Sequence, residues 1–353
     1  MFEQFDISSL SEDFVTGLRH KIDTKTKPLG ALGELESIAL KLGQIQQSLT
    51  PKVDNAKMLV FAADHGVVAQ GISAFPQEVT PQMVVNFLQG GAAVSVFCQQ
   101  HQVPLRIVDV GVKADLADHP LLAQRKVAYG TQDISLQAAM NDQALAAAIA
   151  AGVAEVDLAL QEGVTLLMFG EMGIGNTGVS SCMLSAMTGA SSETTAGRGT
   201  GLDDAGVSHK AKVIAKALAR AEQETGQASS SWSATTLAKQ LGGFEIVAMA
   251  SAMLQAAQHK TAFVVDGFIC SVALMLAQKV SANVLDYAIF AHQSNEQAHQ
   301  QVLAQLGAEP ILSLDLRLGE GSGAILAYPL IKSACVFLNN MASFEHAGVS
   351  EGE

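Results

Sequence analysis

The stretch Arg317-Leu318-Gly319-Glu320-Gly321-Ser322-Gly323 sets one carboxylate among three glycines. Residues 310–316 before it read as a strand, and residues 324–328 after it open an apolar helix. In an open α/β sheet such a strand-to-helix turn lies at the carboxyl edge, where ligands bind. Glycines there let the backbone approach a ligand closely. Glu320 is therefore a candidate general base. An acid at a helix start also suits the helix dipole, so this stretch alone supports both readings.

Four further acids follow strand-like runs: Asp64 after residues 58–63, Asp109 after 105–108, Glu171 after 165–169 and Asp266 after 262–265. Parallel strands bring their carboxyl ends to one edge. Five acids there exceed what capping needs, and the expectation is a shared site with one or two acids as structural caps.

The loop Gly170-Glu171-Met172-Gly173-Ile174-Gly175-Asn176-Thr177-Gly178 contains G-x-G-x-x-G between a strand and a helix. A dinucleotide-binding reading follows from that pattern. Against it, the motif sits in mid-chain, and its helix leads to a Gly/Ser/Thr loop rather than to a strand with a ribose-binding acid. A narrower expectation survives, namely phosphate on exposed amides at a helix N-terminus. Gly173 and Gly175 would offer backbone, with side-chain donors from Asn176 and Thr177. A second glycine loop, Gly197-Arg198-Gly199-Thr200-Gly201, adds Gly199, and Lys210 is a nearby cation. The segment 75–83, with Pro76 and Met83, supplies apolar surface for an aromatic ligand or simply enters the next helix. No H-x-x-x-H, Asp/His cluster or G-x-S-x-G occurs, so neither a metal site nor a serine nucleophile is expected.

These residues need elements to hold them. Strand patterns at 58–63, 105–108, 165–169, 262–265, 287–290 and 310–316 alternate with helical ones, including 79–100, 138–161, 176–187 and 325–341. Continuous apolar strands alternating with helices predict an α/β fold with a mostly parallel sheet covered on both faces. Residues 1–51 and 325–353 lack strand partners and are expected to form a small helical domain beside a large one at 52–324. The 353 residues are 49% hydrophobic, enough for a large core, and carry a formal net charge of −13. That charge, without any Lys/Arg run, disfavours nucleic acid and anionic membrane. Cys98, Cys182, Cys270 and Cys335 are far apart with no CxxC, which points to a reducing, cytoplasmic setting. The acidic start has no signal-peptide pattern, and the apolar run 263–277 is broken by Asp266-Gly267.

Taken in order, these motifs resemble those of the nicotinate-nucleotide–dimethylbenzimidazole phosphoribosyltransferase family across nearly the whole chain. The resemblance rests on Lys25-Thr26-Lys27-Pro28 with Gly30-Ala31-Leu32-Gly33, Ala63-Asp64-His65-Gly66-Val67, Pro76-Gln77-Glu78-Val79-Thr80 and Asp109-Val110-Gly111. It continues through Gly170–Thr177, Gly242-Gly243-Phe244-Glu245, Asp266-Gly267-Phe268 and Arg317–Gly323. Gly178 stands where a second Thr is expected, and Ser322 where Thr is common. The resemblance implies a Rossmann-like large domain, a small helical domain from both termini and a homodimer. It implies transfer of phosphoribose from nicotinate mononucleotide to dimethylbenzimidazole without a cofactor. Glu320 matches the family's catalytic glutamate, and Glu171 and Lys210 resemble further active-site residues. Asp266 falls to the phosphate and ribose side, and Leu318 joins Pro76 and Met83 around the benzimidazole. The rival classes are a nicotinamide-dependent dehydrogenase and a non-catalytic nucleotide-binding paralogue.

Overall fold

The structure, a computed structural model, describes residues 2–199 and 201–350. Six strands form one sheet: β1 (Ala56–Ala63), β2 (Leu105–Gly111), β3 (Leu122–Gln124), β4 (Leu166–Met172), β5 (Ala262–Val265) and β6 (Ala288–Phe290). Their order is β3-β2-β1-β4-β5-β6, and every neighbouring pair is parallel. The strand order reverses between β1 and β4, which opens a crevice beyond their carboxyl ends. Every residue of β1 and β4 is buried, as continuous apolar runs require when both faces are covered. Phe61, Phe169 and Phe263 tie β1, β4 and β5 together, with ring centroids 6.4 and 5.8 Å apart.

The helix Phe244–Gln258 lies over β1, β2, β4 and β5, and the helix Asp142–Gln161 packs outside it. Ser322–Asn340 packs on β4 and against the helices Ala93–Gln100 and Glu34–Ile45. Asp142–Gln161 and Ser322–Asn340 are each long and apolar enough to cross a membrane. About half of each apolar stretch, 44% and 56%, is buried within the fold. The ends of the chain meet: Lys25 Nζ donates to Met341 O at 2.5 Å, and Phe344 N donates to Thr24 O at 3.0 Å.

Several elements differ from expectation. The helix expected over 79–100 is two, Val79–Leu88 and Ala93–Gln100, parted at Gly90, whose φ is +80°. Residues 310–316 form no strand. They touch the end of β6 through Ile311 N to Phe290 O and Leu312 N to Ala291 O, and the left-handed Asp315 (φ +54°) then breaks the extension. The three-residue β3 was not anticipated. The last long helix begins at Ser322, so a boundary between 324 and 325 would fall inside its first turn.

Candidate active site

Three elements deliver three acids to one place. Glu171 lies within β4, Asp266 directly follows β5, and Glu320 occupies the turn before Ser322–Asn340. That turn runs through three successive left-handed residues, Gly319 (φ +83°), Glu320 (+65°) and Gly321 (+86°). Only the middle one carries a Cβ, and its strain must be met by its surroundings. Asp266 meets it: Oδ2 accepts from Gly321 N at 3.1 Å and Oδ1 from Ala324 N at 2.8 Å. Glu320 N faces Glu171 Oε1 at 3.5 Å, and Ser322 Oγ donates to Gly319 O at 2.7 Å. Gly170 makes room beneath the turn, because a Cβ there would stand 2.4 Å from Glu320 O.

The electrostatics follow from burial. Burial, then the Asp266 charge, pushes the Glu320 carboxyl up to about 7. Its Oε2 is buried without a hydrogen-bond partner among the described residues. Burial, then Asp266 and Glu245, pushes Glu171 up to about 8, although Asn176 Nδ2 donates to its Oε2. Burial raises Asp266 as well, against the His292 side chain 3.7 Å away. A folded acid held above its ordinary value favours its neutral form. Glu171 should therefore cost stability progressively as pH rises from about 4.5 to 8. The melting temperature should fall over that range, and Glu171→Gln should flatten the fall. An equally steep curve in the variant would refute the assignment.

The three acids line a cavity of about 300 Å³ with Gly173, Asn176, Thr177, Gly199, Met83 and Leu318. A small adjoining pocket of about 30 Å³ is bounded by the Gly173–Thr177 turn, Gly199, Arg198 and Lys210. Gly175, expected at the phosphate, is found there. The amides of Gly175 and Thr177 have no hydrogen-bond partner among the described residues, as first-turn amides do not. The Ile174 amide is taken by Thr80 Oγ1 at 3.0 Å. Lys210 is buried, with Nζ donating to Gly197 O at 3.2 Å; burial lowers it to about 8, opposed by Glu296. Thr200 of the second glycine loop lies outside the described residues.

Other placements correct the sequence reading. Of the five acids, only three gather. Asp64 Oδ2 accepts from Lys113 N at 2.8 Å, and Asp109 accepts from Gly111 N and Val112 N and pairs with Lys126 at 2.9 Å. Both hold the loop after β2 and do not line the cavity. Asn176 lines both pockets, and its side-chain amide donates to Glu171 Oε2. Pro76 is exposed and off the cavity, because its carbonyl caps the turn into Val79–Leu88 through Val79 N at 3.1 Å. Phe75, Val79, Phe268 and Ile269 form the apolar wall with Met83 and Leu318. The sequence reading also missed His292, Ser294, Glu296 and Arg317 in the lining. Phe268 and Ile269 had a signal in hand, since they directly follow Asp266-Gly267.

A phosphate-sized pocket of amides and a buried lysine, joined to an apolar cavity with a raised carboxylate, defines a nucleotide-handling α/β transferase. A family model described as Phosphoribosyltransferase matches residues 7–349. The nicotinate-nucleotide–dimethylbenzimidazole phosphoribosyltransferase of Cupriavidus taiwanensis is 49% identical over 98% of each chain. That of Dechloromonas aromatica is 48% identical over 99% of each. The crystal structure of CobT from Thermus thermophilus matches with a TM-score of 0.91 and 40% identity, covering 96% of this chain and 100% of the other. The chain belongs to the nicotinate-nucleotide–dimethylbenzimidazole phosphoribosyltransferase family.

Proposed function

We propose that the enzyme transfers phosphoribose from nicotinate mononucleotide to 5,6-dimethylbenzimidazole, giving α-ribazole 5′-phosphate and nicotinate for the lower ligand of cobalamin. The observation that carries this is the buried Glu320 Oε2, unpartnered among the described residues, at the junction of an acid cluster and an apolar wall. The donor's pyridinium is a cation already activated to leave. Its C1′–N bond breaks with the electron pair returning to the pyridine nitrogen. The oxocarbenium-like charge that develops is met by nearby carboxylates. A benzimidazole nitrogen forms the new C1′–N bond on the opposite face, inverting β to α. Glu320 takes the proton from the other benzimidazole nitrogen, so the product leaves uncharged at the ring. No step calls for a cofactor or metal. The 5′-phosphate rests on the Gly175 and Thr177 amides and on Lys210. Lys210→Met should raise KM for the mononucleotide about tenfold or more, with a smaller change in kcat. Unchanged KM would remove Lys210 from the phosphate site.

The dehydrogenase alternative fares poorly. The glycine motif follows β4, and the helix after it leads to the short helix Ser192–Thr195, not to a strand. We also infer a cytoplasmic homodimer with no nucleic-acid or membrane partner. The net charge of −13 and the four free, buried cysteines support this setting, and the family resemblance supports the dimer. We infer the two-domain division given above, 52–324 beside 1–51 and 325–353, with its second boundary moved to Ser322 so that the helix is not cut. The deciding experiment mixes protein, nicotinate mononucleotide, dimethylbenzimidazole and EDTA, and follows nicotinate and α-ribazole phosphate by mass spectrometry and NMR. Product in EDTA supports the metal-free inverting transfer. Folded protein that binds the mononucleotide but forms no product refutes this acceptor.

A further inference from the structure

The acidic and basic side chains lining the main cavity are Glu171, Asp266, His292, Glu296, Arg317 and Glu320, with the Cys270 thiol beside them. Arg317 is the one Lys or Arg among them, since Lys210 lies in the small pocket behind Thr177 and Gly199. It is exposed and makes no hydrogen bond or ion pair among the described residues. Of the other arginines, Arg106, Arg125, Arg198 and Arg220 are each tied to a carboxylate, and Arg19 does not line the cavity. Its backbone is fixed nevertheless, because Leu316 O accepts from Asn295 N at 2.8 Å and Gly319 abuts Glu171.

The donor assigned above brings two anionic groups. Its phosphate has the amide and Lys210 pocket. Its pyridine carboxylate has no such provision, and it must enter a cavity whose other ionisable groups, His292 and Cys270 apart, are carboxyl groups. Each of these that is ionised attracts the ring nitrogen and repels a ring carboxylate, whereas a carboxamide on the same ring would meet no repulsion. A cavity so lined would favour the amide form of the donor unless a cation answered the carboxylate. Arg317 adjoins Leu318 of the apolar wall, and its planar fork matches a carboxylate bidentately. We propose that the Arg317 guanidinium receives the carboxylate of the departing pyridine and makes the enzyme select the acid over the carboxamide mononucleotide.

This inference rests on the transfer reading, and the test separates the two. Wild type, R317Q, R317K and R317E are assayed with dimethylbenzimidazole and either nicotinate or nicotinamide mononucleotide. The acid-to-amide ratio of kcat/KM should fall about tenfold or more in R317Q and further in R317E. R317K should retain most of the ratio, and the loss should lie chiefly in KM for the acid donor. A ratio unchanged in folded R317Q and R317E, or an equal loss with both donors, would overturn the inference alone. A wild type inactive with both donors would overturn the transfer reading and this inference together.

Discussion

Glu320→Gln is expected to fold as the parent does and to turn over ~10² to 10⁴ times more slowly. The substitution keeps shape and size and leaves the turn's backbone bonds to Asp266 in place. It removes only the ability to accept a proton. Burial and Asp266 hold the carboxyl at about 7, near working pH, which suits a general base. The pH profile should show the same group. The base acts when ionised, so kcat/KM should fall as pH drops through about 7. The residual activity of Glu320→Gln should lack that acidic limb. Near-parental turnover in a folded variant would remove Glu320 from the chemistry.

Gly170→Ala should lower kcat by roughly 100-fold although residue 170 touches no substrate group. The added Cβ would stand 2.4 Å from Glu320 O, 2.6 Å from its carbonyl carbon and 2.7 Å from Gly321 N. All three are backbone atoms, so no side chain can swing aside. The turn must shift, and it shifts the base. Overpacking of this kind costs about 1–3 kcal/mol of stability. Mononucleotide binding should change less, because the atoms the new Cβ meets belong to the Glu320–Gly321 turn and none of them to the Gly175, Thr177 and Lys210 pocket. Urea unfolding, mononucleotide titration and turnover together test this. A kcat within about threefold of the parent would show that the turn relaxes without moving Glu320.

Glu320 could be found in the sequence because its glycine neighbours are a backbone requirement, and backbone requirements are written locally. The parallel sheet was legible for a similar reason, since strands buried on both faces must be continuously apolar. The sorting of the five acids was not legible. Whether an acid at a strand end faces the crevice or its own loop depends on pleat and on the neighbouring strand. Asp109 and Glu171 both lie within strands, yet one grips Lys126 and the other lines the cavity. The wall role of Phe268 and Ile269 was not legible, because an apolar first turn looks the same whether it faces a neighbour or a ligand. Pro76 and Phe75 differ by one position in a turn whose direction only the fold sets. Residues 310–316 have strand composition, and the left-handed Asp315 and intermittent bonding that undo it come from tertiary packing.

The bonds that join Thr24 and Lys25 to Met341 and Phe344 span most of the chain; the Lys25–Met341 contact separates residues 316 positions apart. Contacts of such separation are entropically slow to close and form late. During synthesis the amino-terminal helices emerge first and wait for their partner until the last helix is released. Glu320 lies at the foot of the helix Ser322–Asn340, where Asp266 and Gly170 of the sheet seat its turn. A nascent chain that already holds the sheet therefore lacks one of its three gathered acids until that helix is released and docks.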